Sequence, residues 1–125
     1  MNKSKMYILI KDDPKIDLGH RLLACAHASL SGYLTFVDFE ASEIVNSSLL
    51  MTIHPTSTEN WVKESFRKVI CKVTPHEFEI AKTYGEDMKD YRIMVECGLG
   101  NMEVAIVFRP RNNFEPFFKE LRLYK

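Results

Sequence analysis

His20 and Glu96 are the side chains of this sequence best placed for proton transfer. His20 follows Leu18, where the sequence predicts the start of a helix, and an imidazole gains and loses a proton near neutral pH. Glu96 ends a predicted strand, and ligands in open α/β sheets bind beyond the carboxyl ends of strands. If Glu96 reaches His20, it orients the imidazole or activates a water molecule. Otherwise it is an ordinary carboxylate beside a hairpin.

The N-terminus of the same predicted helix is a candidate anion-binding site. Unpaired N–H groups and the helix dipole favour a negative charge there. Lys11 and Lys15 lie in the segment before the helix, while Gly19 and Arg21 lie in its first turn. This pattern predicts that a phosphate or a carboxylate docks here. The alternative is that the three cations are solvated surface charges.

The other histidine and cysteine candidates have weaker claims to chemistry. His27 lies seven residues after His20, about 10 Å along a helix, which is too far for both to bind one metal ion. It falls within a stripe of apolar residues at helical spacing and is predicted to be a core histidine. Cys25 lies in the middle of the helix and is predicted to be inert, and nothing in the sequence supplies a base for Cys97. The sequence predicts neither a metal nor a cofactor.

Composition and charge exclude several classes of protein. The 125 residues are 46% hydrophobic and 27% charged, which is typical of one globular domain over residues 1–125. Seventeen basic and seventeen acidic residues cancel, so binding of nucleic acid through bulk charge is not expected, whereas a local basic patch is compatible with this balance. No apolar run approaches the ~20 residues that span a bilayer, no signal-peptide pattern is present, and the three cysteines indicate reduced thiols. We therefore expect a cytoplasmic protein without membrane contacts.

Alternating strands and helices predict an α/β fold. Asp17 is the predicted cap of the first helix, and Thr74, Pro75 and Glu77 have the pattern of a capping box that begins the second. Strands joined through helices imply crossovers, so we expect a three-layer α/β/α domain with a mixed, mostly parallel four-stranded sheet, in the order β-α-β-α-β-β-α. The predicted strands are 6–10, 68–74, 91–96 and 103–108, with a hairpin turn at 98–101. The predicted helices are 18–36, 75–84 and a short one that opens at Asn113, before an extended segment at 121–124.

Residues 38–60 are predicted to be an insertion. Ser47–Ser48 and 54–58 are loop-like in composition, and the apolar segment 49–53 between them is predicted to cover an edge of the core. The alternative is that the insertion is a contact surface, because its apolar residues and Trp61 are anchors of the kind that interfaces use. A homodimer is one form of this alternative.

Residues 19–30 read Gly-His-Arg-Leu-Leu-Ala-Cys-Ala-His-Ala-Ser-Leu, and this segment resembles the first helix of the type-2 peptidyl-tRNA hydrolase family. That helix carries a Gly-Lys…Gln-Cys-Ala-His-Ala pattern directly after the first strand. Segments 66–69, 95–98 and 121–124 follow in family order, so the resemblance covers nearly the whole chain when 38–59 is an insertion. The family's lysine falls on His20, its glutamine on Ala24 and its aspartate on Glu96. Its threonine-bearing loop is shortened to 99–101.

The resemblance implies an esterase that cleaves the bond between a peptide and tRNA, with His20 as the proton-transfer residue and Glu96 as its partner. It also implies that tRNA or another phosphate-bearing ligand binds at the candidate anion site. Because family residues are replaced, the alternative is a non-catalytic module that binds RNA ends, a nucleotide or another anionic ligand at the first helix N-terminus. The residues predicted to bind substrate are Lys11, Lys15, Gly19, Arg21 and Gly98.

Overall fold

The fold was analysed in a computed structural model, which describes residues 4–34, 37–46, 48–53, 61–88 and 91–125. Its elements, in chain order, are β1 (Lys5–Lys11), α1 (Leu18–Leu34), β2 (Val37–Val45), β3 (Ser48–Ile53), a π-helical turn (Trp61–Ser65), β4 (Arg67–Val73), α2 (Pro75–Met88), β5 (Tyr91–Glu96), a 3-10 turn (Cys97–Leu99), β6 (Met102–Phe108), α3 (Pro116–Lys119) and β7 (Arg122–Leu123).

A five-stranded mixed sheet forms the centre of the fold, in the spatial order β5-β6-β1-β4-β7. β1 pairs in parallel with β4, whereas the pairs β1–β6, β5–β6 and β4–β7 are antiparallel. The α/β class and the mixed sheet are confirmed, but the predictions of four strands and of mostly parallel pairing are wrong. The crossover through α2 does return β5 in the direction of β4. β6 then lies between β5 and β1, so β1 and β4 are the one parallel pair of neighbours in this sheet.

The side chains of β1 alternate between two hydrophobic clusters. Leu9 packs in one cluster with Phe78 of α2. Ile8 packs in the other cluster with Ala24 and Ala28 of α1. Because successive side chains of a strand point to opposite faces, the two clusters lie on opposite faces of the sheet. β1 is therefore buried on both sides, which is why its sequence is a continuous apolar run.

α1 contacts the sheet through small residues and not through its leucines. Leu23 and Leu30 are 43% and 61% exposed, and His27 is exposed as well. The predicted apolar stripe is therefore not the buried face, and the prediction of a core histidine at position 27 is wrong. A Cβ on Gly32 would lie 2.7 Å from Val107 Cγ2, so the small residues allow the helix to approach the sheet closely. The buried positions of α1 are Ala24, Ala28 and Gly32.

α2 begins as predicted and ends later than predicted. The Glu77 amide donates to Thr74 Oγ1 at 3.0 Å, and the Thr74 amide donates to Glu77 Oε1 at 2.8 Å, which confirms the capping box. The predicted end near Gly85 is wrong, because the helix continues to Met88. Gly85 serves packing instead, since a Cβ there would lie 2.6 Å from Cγ of the Tyr91 ring.

Part of the predicted insertion forms a β-hairpin. β2 and β3 pair antiparallel as a separate two-stranded sheet, and Asn46, in the connection between them, has a φ of 51°. The loop predicted at Ser47–Ser48 is corrected in part, because Ser48 begins β3. The loop predicted at 54–58 lies outside the described residues, and so do the side chains of 49–53 that were predicted to cover the core.

The C-terminal segment contributes an aromatic cluster to the core. α3 begins at Pro116 and not at Asn113, while β7 confirms the predicted extended end. Phe118 is 1% exposed and fills the centre of this cluster. Its ring centroid lies 4.8–5.7 Å from the rings of Tyr7, Tyr84, Phe108, Phe114 and Phe117.

We expect Phe118→Ala to lower the free energy of unfolding by about 3–5 kcal/mol, because the substitution leaves a cavity among five rings. Urea denaturation monitored by circular dichroism measures this loss. Phe117→Ala is the matched control, since Phe117 is only partly buried, and it should cost clearly less. Equal losses for the two variants would show that Phe118 is not the centre of the cluster.

Candidate active site

Asp17 caps the N-terminus of α1 and binds His20 twice. Asp17 Oδ1 accepts hydrogen bonds from the His20 backbone amide and from His20 Nδ1, each at 2.9 Å. The predicted helix cap is confirmed, and its second bond, to the imidazole, is new. The hydrogen bonds from the backbone and the side chain of His20 lower the pKa of Asp17 below its ordinary value of 3.8. The carboxylate therefore stays ionised at neutral pH.

The bond to Asp17 determines the orientation and the tautomer of the His20 ring. An ionised carboxylate can only accept, so Nδ1 carries the hydrogen and Nε2 is the nitrogen that can accept a proton. The His20 side chain is 31% exposed, so solvent reaches part of the ring. A carboxylate that holds Nδ1 also stabilises the imidazolium that forms when Nε2 takes a proton.

Glu96 lies at the end of β5, where the chain enters the 3-10 turn Cys97–Leu99. The Gly98 amide donates to Glu96 Oε1 at 2.9 Å, so the carboxylate caps this turn. Gly100 and Asn101 follow with φ values of 67° and 63° and lead into β6. The predicted turn at 98–101 is therefore present, in a form that fixes the Glu96 carboxylate relative to the backbone.

Gly98 is the point at which His20 and Glu96 approach each other. A Cβ on Gly98 would lie 3.2 Å from Glu96 Oε1 and 3.6 Å from His20 Nε2. The imidazole of α1 and the carboxylate of β5 therefore both lie beside the same glycine, which has no side chain. The structure places three of the predicted site residues together, and their chemical roles remain predictions.

Two of the predicted anion-binding residues have contacts outside this cluster. Lys11 Nζ lies 4.5 Å from the ring centroid of Phe78, which is on the face of the sheet opposite α1. Lys15 is exposed in the loop before α1, and its backbone amide donates to Asp13 Oδ1. Their contacts with an anion remain predictions.

The predicted anion site at the helix N-terminus already holds a carboxylate of the chain itself. The His20 amide is occupied by Asp17, and the Gly19 amide contributes to the lowered pKa of the same carboxyl group. A Cβ on Gly19 would lie 3.5 Å from Asp17 Oδ1, an ordinary contact distance, so Gly19 is not required for close packing. An external anion would compete with Asp17 for these donors.

Arg21 holds the loop between β1 and α1. Its Nε donates to the carbonyl of Ile16 at 2.8 Å, and one terminal nitrogen donates to the carbonyl of Asp13 at 2.9 Å. The other terminal nitrogen donates to the Tyr124 hydroxyl at 3.0 Å and lies 3.5 Å from Asp12 Oδ1. The side chain is 14% exposed, and the Tyr124 bond is the main cause that raises the Arg21 pKa. Arg21 has a structural role here, and its predicted contact with an anion remains a prediction.

An apolar pocket of about 170 Å³ lies on the other side of α1 from His20. Its lining does not include His20, Glu96 or Gly98, so the pocket is separate from the candidate active site. Its floor includes the Arg21 side chain, whose donors are directed into the loop. The lining residues are Leu18, Arg21, Leu22, Cys25, Ile70 and Tyr124.

The three cysteines differ in their surroundings. Burial raises the pKa of Cys25, and it raises the pKa of Cys71 to about 11, so neither thiol is activated. Cys97 is exposed, and its Sγ lies 3.9 Å from Glu96 Oε1. The described residues contain no cluster of three potential metal ligands, and none of the described helices is long and apolar enough to cross a membrane.

Sequence reasoning missed the pairing of Asp17 with His20 and the clamp formed by Arg21. The signal for the first was available, because the cap residue and the third residue of a helix face each other in a capping box. An Asp-X-X-His pattern at a helix start therefore predicts an oriented imidazole. The clamp depends on Tyr124, which is distant in sequence, so no local pattern could reveal it.

A known protein family matches this chain over nearly its whole length. The family model for the peptidyl-tRNA hydrolase PTH2 matches residues 4–124. The chain therefore belongs to the PTH2 family. No curated protein matches the sequence.

We expect the stabilising effect of Asp17 to depend on pH. Its pKa is lowered by folding, so its contribution is present above pH 3.8 and is lost as the pH falls below that value. Asp17→Asn keeps a capping side chain but removes the charge. The difference in Tm between wild type and Asp17→Asn should shrink as the pH falls below 3.8. A difference that is the same down to pH 2.5 or so would contradict the ionised pair.

We expect Arg21→Lys to lower the free energy of unfolding by about 1–3 kcal/mol, because lysine keeps the charge but cannot bind several acceptors in a plane. Urea denaturation measures the loss. Arg122→Lys makes the same change at an exposed position and should have little effect. An Arg21→Lys variant as stable as the wild type would contradict the clamp and would favour a ligand-binding role.

Proposed function

We propose that this protein hydrolyses the ester bond between a peptide and tRNA, with His20 as the residue that transfers the proton. The observation that carries the proposal is the Asp17–His20 pair, which presents Nε2 towards Glu96 across Gly98. Membership of the PTH2 family supports peptidyl-tRNA as the substrate class. We also propose the predicted three-layer α/β/α arrangement, because hydrophobic clusters lie on both faces of the sheet.

In the proposed reaction, His20 Nε2 takes a proton from a water molecule as the water oxygen attacks the ester carbonyl carbon. Asp17 stabilises the imidazolium that results. When the tetrahedral intermediate breaks its bond to the ribose oxygen, Nε2 returns the proton to that oxygen. The products are a peptide carboxylic acid, which loses its proton to solvent, and a tRNA with a free terminal hydroxyl group.

Glu96 does not need to orient the imidazole of His20, because Asp17 already does so. Its Oε1 accepts from the Gly98 amide, which keeps the carboxylate beside Nε2 without closing the space between them. We propose that Glu96 positions the attacking water for His20.

Binding of the RNA phosphates by the cations near α1 is also part of the proposal. Lys15 is the exposed cation of the loop before α1 and can meet a phosphate directly. Arg21 would act through the loop that it holds. The contributions of Lys11, Gly19 and Gly98 to substrate binding, a cytoplasmic location and a homodimer remain predictions.

The replacement of family residues favours a second candidate, a non-catalytic module. His20, Ala24 and Glu96 stand where the family pattern has lysine, glutamine and aspartate. Such a module would bind RNA ends, a nucleotide or another anionic ligand at the N-terminus of α1. The occupation of this helix end by Asp17 speaks against a strong anion site there.

Hydrolysis of N-acetyl-aminoacyl-tRNA by the wild type and by His20→Ala tests the proposal. We expect His20→Ala to lower kcat by about 10²–10⁴-fold, the usual contribution of a general acid–base group. His27→Ala is the matched control, because His27 is an exposed histidine on the same helix. Gly98→Ala should also lower kcat, by about tenfold or more, because its methyl group would enter the space between Nε2 and Glu96.

The outcomes separate the two candidates. Equal activity of His20→Ala and His27→Ala would show that His20 does not transfer the proton, and Cys97→Ala would then be the next variant. A folded wild type without turnover would contradict hydrolysis and favour the binding module. Thermal shifts with tRNA, nucleotides and phosphate would then identify its ligand.

A further inference from the structure

Three chain segments at the edge of the sheet opposite the candidate active site are rich in basic residues. β1 and β4 begin at this edge and β6 ends there, since Lys5 pairs with Arg67 and Ile8 with Val107. We call the segments 4–6, 61–68 and 109–112 the basic rim. Glu64 is their one acidic residue, in a chain whose net charge is zero. The basic residues of the rim are Lys5, Lys63, Arg67, Lys68, Arg109 and Arg111.

Three of these cations form a row across neighbouring chain segments. Lys5 pairs directly with Arg67 in the register of β1 and β4. On its other side, Lys5 and Arg111 exchange backbone hydrogen bonds at 3.1 and 3.2 Å. Two of the three pack on aromatic rings of the core: Lys5 Nζ lies 5.4 Å from the ring centroid of Tyr7, and the Arg111 guanidinium lies 5.7 Å from that of Phe114.

Phe66 is an exposed aromatic residue within this rim. It is 54% exposed, and its φ of 46° lies in the left-handed region, where bulky residues are rare. The position follows a π-helical turn and is one that glycine would adopt without strain. A large apolar ring therefore occupies a strained position and leaves more than half of its surface in water.

The surrounding contacts hold Phe66 in this conformation. Its amide donates to the Trp61 carbonyl at 2.7 Å, and the Trp61 indole N–H donates to the Arg67 carbonyl at 2.7 Å. The rings of Trp61 and Phe66 lie 4.7 Å apart, and Lys68 Nζ lies 3.5 Å from the centroid of Phe66. An exposed ring is thus fixed beside a cation, and a strained residue that its surroundings hold in place is common at binding sites.

We propose that the basic rim binds single-stranded nucleic acid that crosses this end of the sheet, with a base stacked on Phe66. Lys68 would bind a phosphate on the face of the sheet where Phe66 lies, and Arg67 would bind one on the other face. An exposed aromatic ring recognises an unstacked base, while neighbouring cations follow the phosphate backbone. An acidic protein partner would also bind the cations of the rim, but its binding would not require an exposed aromatic ring held in a strained conformation. The rim lies about 20 Å from the candidate active site, the length of β1, so it is a second surface.

The charge of Arg67 is tested by binding of a labelled single-stranded RNA of about 12 nucleotides, followed by fluorescence anisotropy at several salt concentrations. Arg67→Ala should weaken binding and should reduce the slope of log K against log salt by about 0.7, the value for one lost contact on a single strand. Arg122→Ala is the matched control, an exposed arginine at the other end of β4. Equal effects of the two variants would overturn the proposal.

The ring of Phe66 is tested separately from folding. Phe66→Gly should retain or raise the Tm, because glycine relieves the strain, and should weaken RNA binding by about tenfold through the loss of stacking. Phe66→Leu keeps the apolar bulk and should also weaken binding. An affinity of Phe66→Leu equal to that of the wild type would show that stacking is absent and would overturn the proposal.

Competition identifies the kind of partner. Single-stranded RNA should bind more tightly than a duplex of the same sequence, and poly-glutamate should displace it poorly. Effective displacement by poly-glutamate, or a preference for the duplex, would overturn the proposal. The probe contains no peptidyl ester, so its binding is independent of hydrolysis. Loss of hydrolysis with retained oligonucleotide binding would contradict the proposed function alone.

Discussion

The guanidinium group of Arg21 connects three parts of the chain that determine where α1 begins. It binds the carbonyls of Asp13 and Ile16 in the loop after β1, and it reaches the hydroxyl of Tyr124 near the C-terminus. A planar group with several donors can satisfy these acceptors together, which a flexible ammonium cannot. Asp17 directly follows the loop that Arg21 holds, so the position of the Asp17–His20 pair depends on this clamp. Glu96, on the opposite side of the site, is held independently of this clamp by the 3-10 turn after β5.

The candidate site combines two carboxylates, each of which accepts a hydrogen bond from a backbone amide at the start of a helix or turn. Asp17 completes the first turn of α1, and Glu96 completes the 3-10 turn after β5. Each carboxylate is therefore oriented by backbone amides before any substrate arrives, and preorganised polar groups of this kind need little rearrangement during a reaction. The sheet places the two ends beside each other, because α1 packs across β5 and β6. Chemistry at this site would use groups that folding has already oriented.

Local patterns predicted the elements of this fold well, and long-range packing explains what they missed. The Thr74–Glu77 capping box and the extended C-terminal segment need only neighbouring residues, and both are confirmed. The order of the strands depends on which sheet edge β6 joins, and periodicity does not contain that information. The leucines of α1 suggested the wrong buried face, because close approach to the sheet requires small residues. His20, Glu96 and Gly98 were predicted from the sequence and lie close together in the structure, whereas the role of Arg21 required the position of Tyr124.

The pairing of β1 also determines when its folding can be completed. Its parallel neighbour β4 comes about 60 residues later in the chain, and its other neighbour β6 comes about 100 residues later. A ribosome adds roughly 5–20 residues per second, so this apolar strand waits for seconds before either neighbour has been made. During that time α1 and the β2–β3 hairpin can form from local contacts, but the central strand has no partner. A strand that is buried on both faces of the native sheet therefore has no partner strand during much of the synthesis of the chain.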